Sequence, residues 1–414
     1  MASFARVLRA VRALGAPRQR FLTSVTAGHL VVHWYQQLLP LVLPSLKADL
    51  NLSNIQVGTI TTAQQAASSI ATLPSGYLAD THRRWTGLIL AAAIVAFGLA
   101  FFLMGSAPSY AWVLPAAGLV GLGAALWHPG AMGALSLRYP DRRGLALSIH
   151  GVGASVGDSI APLVVGALIG VVSWQLTLRL HLVAALVIAV ALWRALGPLT
   201  QGQAPRPALR AYLGDIRGMV AQPQALAVMA ANALMTMGRL AVLTFFPIYI
   251  REDLGYSSFL LGVYLALLHV MGMASQPVMG LLSDRLGRKA VLAPSFAAMG
   301  LLYAGIVYAQ GGVQLGLVVG ALGMFFYAIL NIAQTAIMDV AAEGVQASTM
   351  GVMSLFSQPF TLGSPVLAGY LVTEFGIKAA FWYAAATALL AAAILVPVRF
   401  RRLQPLSQGP ARPS

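Results

Sequence analysis

The chain has no cysteine and very little acid, because only 11 of its 414 residues are aspartate or glutamate. The absence of cysteine excludes disulfides, thiolate metal sites and cysteine nucleophiles. Charged residues make up 9% of the sequence, against about a quarter in a typical soluble domain, whereas 58% of it is hydrophobic. This balance indicates that most of the chain lies in lipid.

Hydropathy divides the chain into twelve apolar segments between residues 21 and 398. A helix that crosses a bilayer needs about 20 apolar residues, so twelve spans with short loops fit. The longest polar stretch separates six segments from six. We therefore predict an all-α integral membrane protein with twelve transmembrane helices, arranged as a basic tail at 1–20, a six-helix half at 21–196, a linker at 197–222, a six-helix half at 223–398 and a tail at 399–414.

Positive charge is concentrated on one side of the predicted membrane. Of the 26 lysines and arginines, 21 lie in the two tails and in the loops of one side, whereas the opposite loops hold only Lys47, Arg251 and Lys378. Because positive loops are retained in the cytoplasm, both termini are predicted to be cytoplasmic, in a protein of the inner membrane. The net charge of +15 is then a topology signal, and no nucleic-acid partner is expected.

The two predicted halves contain related motifs, which carry a family resemblance. The second span ends on Gly76 and Asp80, followed by Arg84, and a similar motif 204 residues later ends the eighth span. That second motif resembles the signature of the major facilitator superfamily at its defining positions, which are Gly280, Asp284, Arg285, Gly287 and Arg288. The first copy departs from it, since Thr81 replaces the usual arginine and Arg83 an expected glycine.

The resemblance implies two six-helix halves that rock about a central site, and the motifs suggest how one side closes. Spans five and eleven begin on the cytoplasmic side, so their positive N-terminal ends would attract Asp284 and Asp80 respectively. The alternative is that these charges only fix the topology.

A narrower pattern lies in spans four and five. Trp127-His128-Pro129, followed by Gly153, Gly157 and Pro162, resembles the fosmidomycin-resistance type of bacterial exporters. That resemblance implies proton-driven export of small molecules. The sequence departs from the group at Asp158, where a neutral residue is usual. The arginine that many drug–proton antiporters carry in helix four is also missing, and His128 lies in that region.

Asp158 is the only acidic residue in the middle of a predicted span, about 14 residues into the fifth. A charge there costs about 2.5–3.5 kcal/mol on insertion scales, so we interpret it as a proton-coupling group, with His128 and His33 as the other candidates. The alternative is a neutral carboxyl that joins packed helices. Arg239 is the matching anomaly in span seven, expected either to bind an anionic substrate or to pair with Asp158.

The first span has a polar face formed by His29, His33, Gln36 and Gln37, which is predicted to point into the helix bundle. On this face, His29 and Gln36 are the residues expected to line a substrate cavity. His29 and His33 also offer two imidazoles at helical spacing, but no third ligand is visible, so no metal site is predicted. The glycines near Asp158 follow no strand, which excludes a dinucleotide site and favours close helix packing. Further cavity candidates in the second half are His269, Asn331 and Gln358.

Together these features favour a monomeric secondary transporter that needs no cofactor and catalyses no reaction. Its expected partners are a small-molecule substrate, protons and the lipid bilayer, and its expected role is proton-coupled efflux of a small organic molecule or drug. Two alternatives stay open. One is a proton symporter that takes up an organic anion bound by Arg239, and the other is a non-transporting receptor or lipid-handling protein.

The charge distribution predicts the topology. A reporter fused after Arg402 should be cytoplasmic, and one inserted near Ser109 should be external, because arginine-rich loops resist translocation. The measurement is the activity of paired reporters that work on only one side of the membrane. An external C-terminus would contradict the even number of spans.

Overall fold

In the computed structural model, residues 14–196, 217, 222–340 and 346–398 are described, and their regular secondary structure is entirely helical. Most of the 197–222 connection and all of the 399–414 tail lie outside these residues, so the predicted linker and tail stay predictions. Eight helices in the described part are individually long and apolar enough to cross a membrane. The fold class is the predicted one, with twelve spans in two halves.

The first half comprises seven helices because its first span is interrupted at Gln37. Pro40 follows three residues later, and its ring nitrogen has no hydrogen to donate to the carbonyl of Gln36, so the helical ladder is broken at this point. The helices are α1 (Ala16–Gln36), α2 (Leu38–Asp49), α3 (Asn54–Thr81), α4 (Thr86–Met104), α5 (Tyr110–Arg138), α6 (Arg143–Val171) and α7 (Trp174–Leu196).

The second half also comprises seven helices, but its interruption lies at Tyr327 in the tenth span, which is the fourth span of that half. A π-helical turn, Tyr249–Asp253, extends its first span. The helices are α8 (Pro223–Ile248), α9 (Ser258–Leu286), α10 (Arg288–Tyr308), α11 (Val313–Phe326), α12 (Ala328–Val340), α13 (Gln346–Phe375) and α14 (Ala379–Leu395).

The two halves meet mainly through two helix pairs, α6 with α9 and α3 with α13. Their closest approaches lie on the side of Lys47. A Cβ atom on Gly262 would stand 2.1 Å from the carbonyl oxygen of Pro162, and one on Gly369 would stand 2.4 Å from that of Asn54. The Nζ of Lys47 lies 2.6 Å from a carboxylate oxygen of Glu252. This side of the molecule is therefore closed.

The halves separate toward the opposite, arginine-rich side, defined by Arg84, Arg138 and Arg285. Gly151 lies three turns from Pro162 on the same face of α6, yet a Cβ there would have nothing within 4 Å. On α3, Leu73 lies three turns from Thr62, whose hydroxyl donates to the carbonyl of Leu362 in α13, but the side chain of Leu73 is 58% exposed. The cavity between the halves thus opens to the arginine-rich side.

The tight contact at Gly262 yields a conformational prediction. Gly262→Ala should shift the protein toward the state that opens on the Lys47 side, because a Cβ at 2.1 Å from a carbonyl oxygen forces α9 away from α6. The chain has no cysteine, so a single Leu73→Cys substitution can report accessibility. Its labelling from the arginine-rich side should become slower.

Gly363→Ala is the matched control, since a Cβ at that position would meet nothing within 4 Å. It should leave the labelling rate of the same cysteine unchanged. Equal labelling of the Gly262→Ala and control proteins, both monodisperse, would show that this contact does not limit the conformational change.

Candidate functional site

Asp158 lies on α6 with both carboxylate oxygens bonded to the first span. One oxygen is 3.0 Å from Nδ1 of His33, and the other accepts a hydrogen bond of 2.7 Å from the side-chain amide of Gln37. Only 13% of its side chain is exposed. The neighbouring Gly157 permits this contact, because a Cβ there would stand 2.3 Å from the carbonyl oxygen of Leu30 in α1.

The side-chain amide of Gln37 also connects Asp158 to the second half. The oxygen of Gln37 lies 3.1 Å from Nε2 of His269 on α9, and the hydroxyl of Tyr327 lies 3.4 Å from the same nitrogen. Gln37 and Tyr327 are the residues at which the first and tenth spans are interrupted. A polar chain therefore crosses between the halves at the depth where both helices are broken.

Arg239 does not pair with Asp158, so that alternative is wrong. The oxygens of Asp158 are occupied by His33 and Gln37, whereas the guanidinium carbon of Arg239 lies 4.5 Å from the ring centre of Tyr327 and 4.8 Å from that of Phe326. Its Nε is buried without a hydrogen-bond partner. Within the described part of the chain, Arg239 has no acidic partner, so no carboxylate neutralises its positive charge.

Four histidines gather beside Asp158 in the first half. The rings of His29 and His33 are 4.6 Å apart, and His128 of α5 lies 5.5 Å from His29 and 5.9 Å from His33, measured between ring centres. His150 of α6 stacks on His29 at 3.8 Å. The sequence showed no third ligand beside His29 and His33, and the structure brings His128 to that position.

Glycines allow the helices of this cluster to approach. A Cβ on Gly28 would stand 2.2 Å from the ring of Trp127, and one on Gly153 would stand 2.4 Å from the carbonyl oxygen of Thr26. The sequence predicts that the glycines near Asp158 permit close helix packing, and the contacts of Gly153 and Gly157 support this prediction. Gly151 is the exception, because it faces open space between the halves.

The remaining cavity candidates are dispersed. His269 is buried at the junction of the halves, and Gln36 is half-buried on α1. Asn331 is exposed on α12 and donates to the side-chain oxygen of Gln276 at 3.3 Å. Gln358 is half-buried on α13, where its backbone carbonyl accepts from Thr361. His150, which is central to the geometry, was not among the predicted site residues, and Gln37 was predicted only as a member of the polar face of the first span.

The signature motif occupies the end of α9 on the arginine-rich side. Asp284 forms an ion pair with Arg288, and its side chain is 62% exposed. Gly287 has φ of +93°, a conformation that favours glycine, and this residue separates α9 from α10. A Cβ on Gly280 would meet nothing within 4 Å, and the side chain of Arg285 is exposed. In the first-half copy, a Cβ on Gly76 would stand 3.8 Å from that of Pro129. Arg84 lies over the ring of Trp85, and the side chain of Asp80 is outside the described part.

Comparison with known proteins decides the family. The sequence profile described as Major Facilitator Superfamily matches residues 25–360. The chain belongs to this superfamily. The fold agrees, because the nucleoside transporter NupG superposes with a TM-score of 0.79 at 11% identity, over 92% of this chain and 99% of that one.

Individual relatives are similar over different lengths. The fosmidomycin resistance protein of Escherichia coli (strain K12) is 32% identical over 158 residues, which are 37% of this chain and 38% of that protein. A probable nitrate transporter, NarT of Staphylococcus haemolyticus (strain JCSC1435), is 22% identical over 82% of this chain and 89% of its own length. The chain is thus a multi-pass membrane protein of a superfamily of transporters.

The exposed position of Asp284 yields a prediction about gating. If this carboxylate holds the arginine-rich side closed by reaching the N-terminus of α6, it must be free of that contact in the open state seen here. Asp284→Asn should therefore leave an inserted, folded protein that favours the open state, because the amide carries no charge for the helix end to attract. Labelling of Leu73→Cys should become faster, and transport should fall.

Glu374→Gln provides the control, since it also removes one exposed carboxylate but lies on the other side of the membrane. It should alter neither labelling nor transport. Normal transport by Asp284→Asn at equal expression would show that the charge of Asp284 is not needed for gating and that the motif only fixes the topology.

Proposed function

We propose that this transporter exports a small organic molecule by alternating access, driven by protons that enter through Asp158. The proposal includes an inner-membrane location with the arginine-rich side in the cytoplasm. The observation that carries it is the polar chain from Asp158 through Gln37 to His269, which links a mid-membrane carboxylate to the contact between the halves.

Protonation has a direct structural consequence in this arrangement. The ionised carboxylate accepts hydrogen bonds at both oxygens, from His33 and from Gln37. A protonated carboxyl has one oxygen that is a donor, so it no longer matches both partners. Gln37 is then released to turn, and its bond to His269 weakens. A proton on Asp158 would thereby favour separation of the halves at mid-membrane, and its loss would favour their connection.

Export is the favoured direction because spans four and five carry the pattern of the fosmidomycin-resistance type, and a fosmidomycin resistance protein is among the relatives. A second candidate is proton-coupled uptake of an organic anion. The uncompensated charge of Arg239 supports an anionic substrate in either direction, and one relative is named as a probable nitrate transporter.

Asp158→Asn tests the coupling. In liposomes that contain the purified protein, this variant should lose transport driven by a pH gradient, because an amide cannot exchange a proton, while substrate binding should persist. Fosmidomycin is the first probe, after a comparison of drug sensitivity between strains that lack and overexpress the gene. Asp253→Asn, which removes a carboxylate at the very end of a span and not in its middle, should transport normally. Unchanged pH dependence in Asp158→Asn would make Asp158 structural and direct attention to His33 and His128.

The two candidate directions are separated in vesicles of known orientation. Export requires accumulation toward the side opposite the arginine-rich loops, and uptake requires the reverse. Arg239→Gln should weaken binding of anionic probes, whereas Arg239→Lys should retain much of it, because the positive charge is kept. If both variants bind the anionic probes as tightly as the wild type does, Arg239 is not part of the substrate site.

A further inference from the structure

The first half contains a cluster of imidazoles whose hydrogen bonds do not account for all of their nitrogens. One ring nitrogen each of His29, His33 and His128 lies within 4.8 Å of the others. His29 is 7% exposed, and its Nε2 is buried without a hydrogen-bond partner. A buried polar atom without a partner costs free energy, so this arrangement points to a ligand.

The tautomers of the three rings follow from their partners. Nδ1 of His29 lies 2.9 Å from the carbonyl oxygen of His150, and Nδ1 of His128 lies 2.8 Å from that of Ala124. A carbonyl oxygen only accepts, so both Nδ1 atoms carry the proton. Nδ1 of His33 lies 3.0 Å from the carboxylate of Asp158 and donates to it in the same way. In each neutral ring, Nε2 therefore presents a lone pair.

We propose that His29, His33 and His128 form a binding site for a divalent transition-metal ion of the zinc type. Imidazole nitrogens suit Zn²⁺ and its first-row neighbours. Ligating histidines characteristically donate their other N–H to a backbone carbonyl or a carboxylate, which fixes the ring and its tautomer. All three rings have such a partner, and the bond from His33 to Asp158 is of the carboxylate–histidine–metal kind.

The geometry requires only a small adjustment. Nitrogens bound to a tetrahedral zinc at 2.0–2.1 Å stand about 3.4 Å apart, and the present separation of up to 4.8 Å closes by rotation of the side chains. Three protein ligands leave a fourth position for water or another molecule, which is typical of an exchangeable ion and not of a closed structural site. His33 is 19% exposed, so an ion has access from the cavity.

All three ligands belong to one half of the transporter. His29 and His33 lie on α1 and His128 lies on α5, so an ion bound to them moves with the first half and is not released by the separation of the halves alone. The proposal does not rest on proton-coupled export. Metal binding is measured without transport, and Asp158→Asn is tested for transport without metal, so either idea can fail while the other stands.

The experiment is a titration of the purified, tag-free protein in detergent with Zn²⁺, followed by calorimetry, and with Co²⁺, followed by its visible absorption. We expect one ion per chain. His33→Gln and His128→Gln should each weaken binding by at least about 10–100-fold, since loss of an outer-sphere partner alone has effects of this size. Asp158→Asn, which changes the partner of His33 and leaves all three ligands in place, should weaken it by about 10–100-fold.

His181→Gln is the matched control. This histidine lies in the same half, but both of its ring nitrogens are engaged, with Nε2 accepting from the indole of Trp34 at 3.1 Å and Nδ1 donating to Thr177 at 2.6 Å. Its replacement should leave the stoichiometry and affinity unchanged. Size-exclusion profiles and circular dichroism establish that each variant is folded.

Two binding results would overturn the proposal. One is a folded wild-type protein that binds no stoichiometric Zn²⁺ or Co²⁺. The other is binding by the His33→Gln/His128→Gln double variant with the affinity of the wild type, which would locate the ion elsewhere. A cobalt spectrum without the intensity of tetrahedral coordination would likewise contradict a three-imidazole site.

Discussion

The structure depends on how a single carboxylate is accommodated in the middle of the membrane. Asp158 is held by His33 and Gln37 of the first span, and Gln37 extends this connection to His269 in the other half. A charge at this depth is tolerated when it is hydrogen-bonded and faces protein. The bonds that make Asp158 acceptable in lipid are therefore the same ones that join the two halves, and this is the basis of the proposed coupling between its protonation and the position of the halves.

Small residues determine where the halves touch and where they part. On the Lys47 side, Gly262 and Gly369 bring helix backbones into contact across the interface. Gly151, which lies three turns from Pro162 on α6, faces open space. Leu73, three turns from Thr62 on α3, is likewise exposed. Rigid helices that converge at one end and diverge at the other produce a cavity open to one side, which is the geometry that alternating access needs.

The charged side chains of the cavity are divided between the halves. The first half holds Asp158 with its histidines, and the second holds Arg239 above the rings of Phe326 and Tyr327. A direct ion pair between Asp158 and Arg239 would neutralise both groups and connect the halves strongly. Their separation underlies the proposed roles of the carboxylate in proton coupling and of the arginine in binding an anionic substrate. His29 and His128, which lie behind His33, belong to the first half alone.

The sequence by itself determined the fold class, the twelve spans and the family, because apolar length, charge distribution and the Gly280–Lys289 signature are local or additive properties. It also identified Asp158 and Arg239 as anomalies, since a charged residue in an apolar run is visible without coordinates. Polar residues of the first span were likewise recognisable from their helical spacing.

Only the tertiary structure decided which of these residues meet. The sequence allowed Asp158 to pair with Arg239, whereas the fold gives it His33 and Gln37. It showed two histidines of a possible metal site, and packing of Gly28 against Trp127 brings the third, His128, from a helix about 100 residues away. Contacts between distant segments depend on the rotation and depth of each helix in the bundle. Hydropathy specifies that a segment crosses the membrane, but it does not specify which residues of its neighbours it will face.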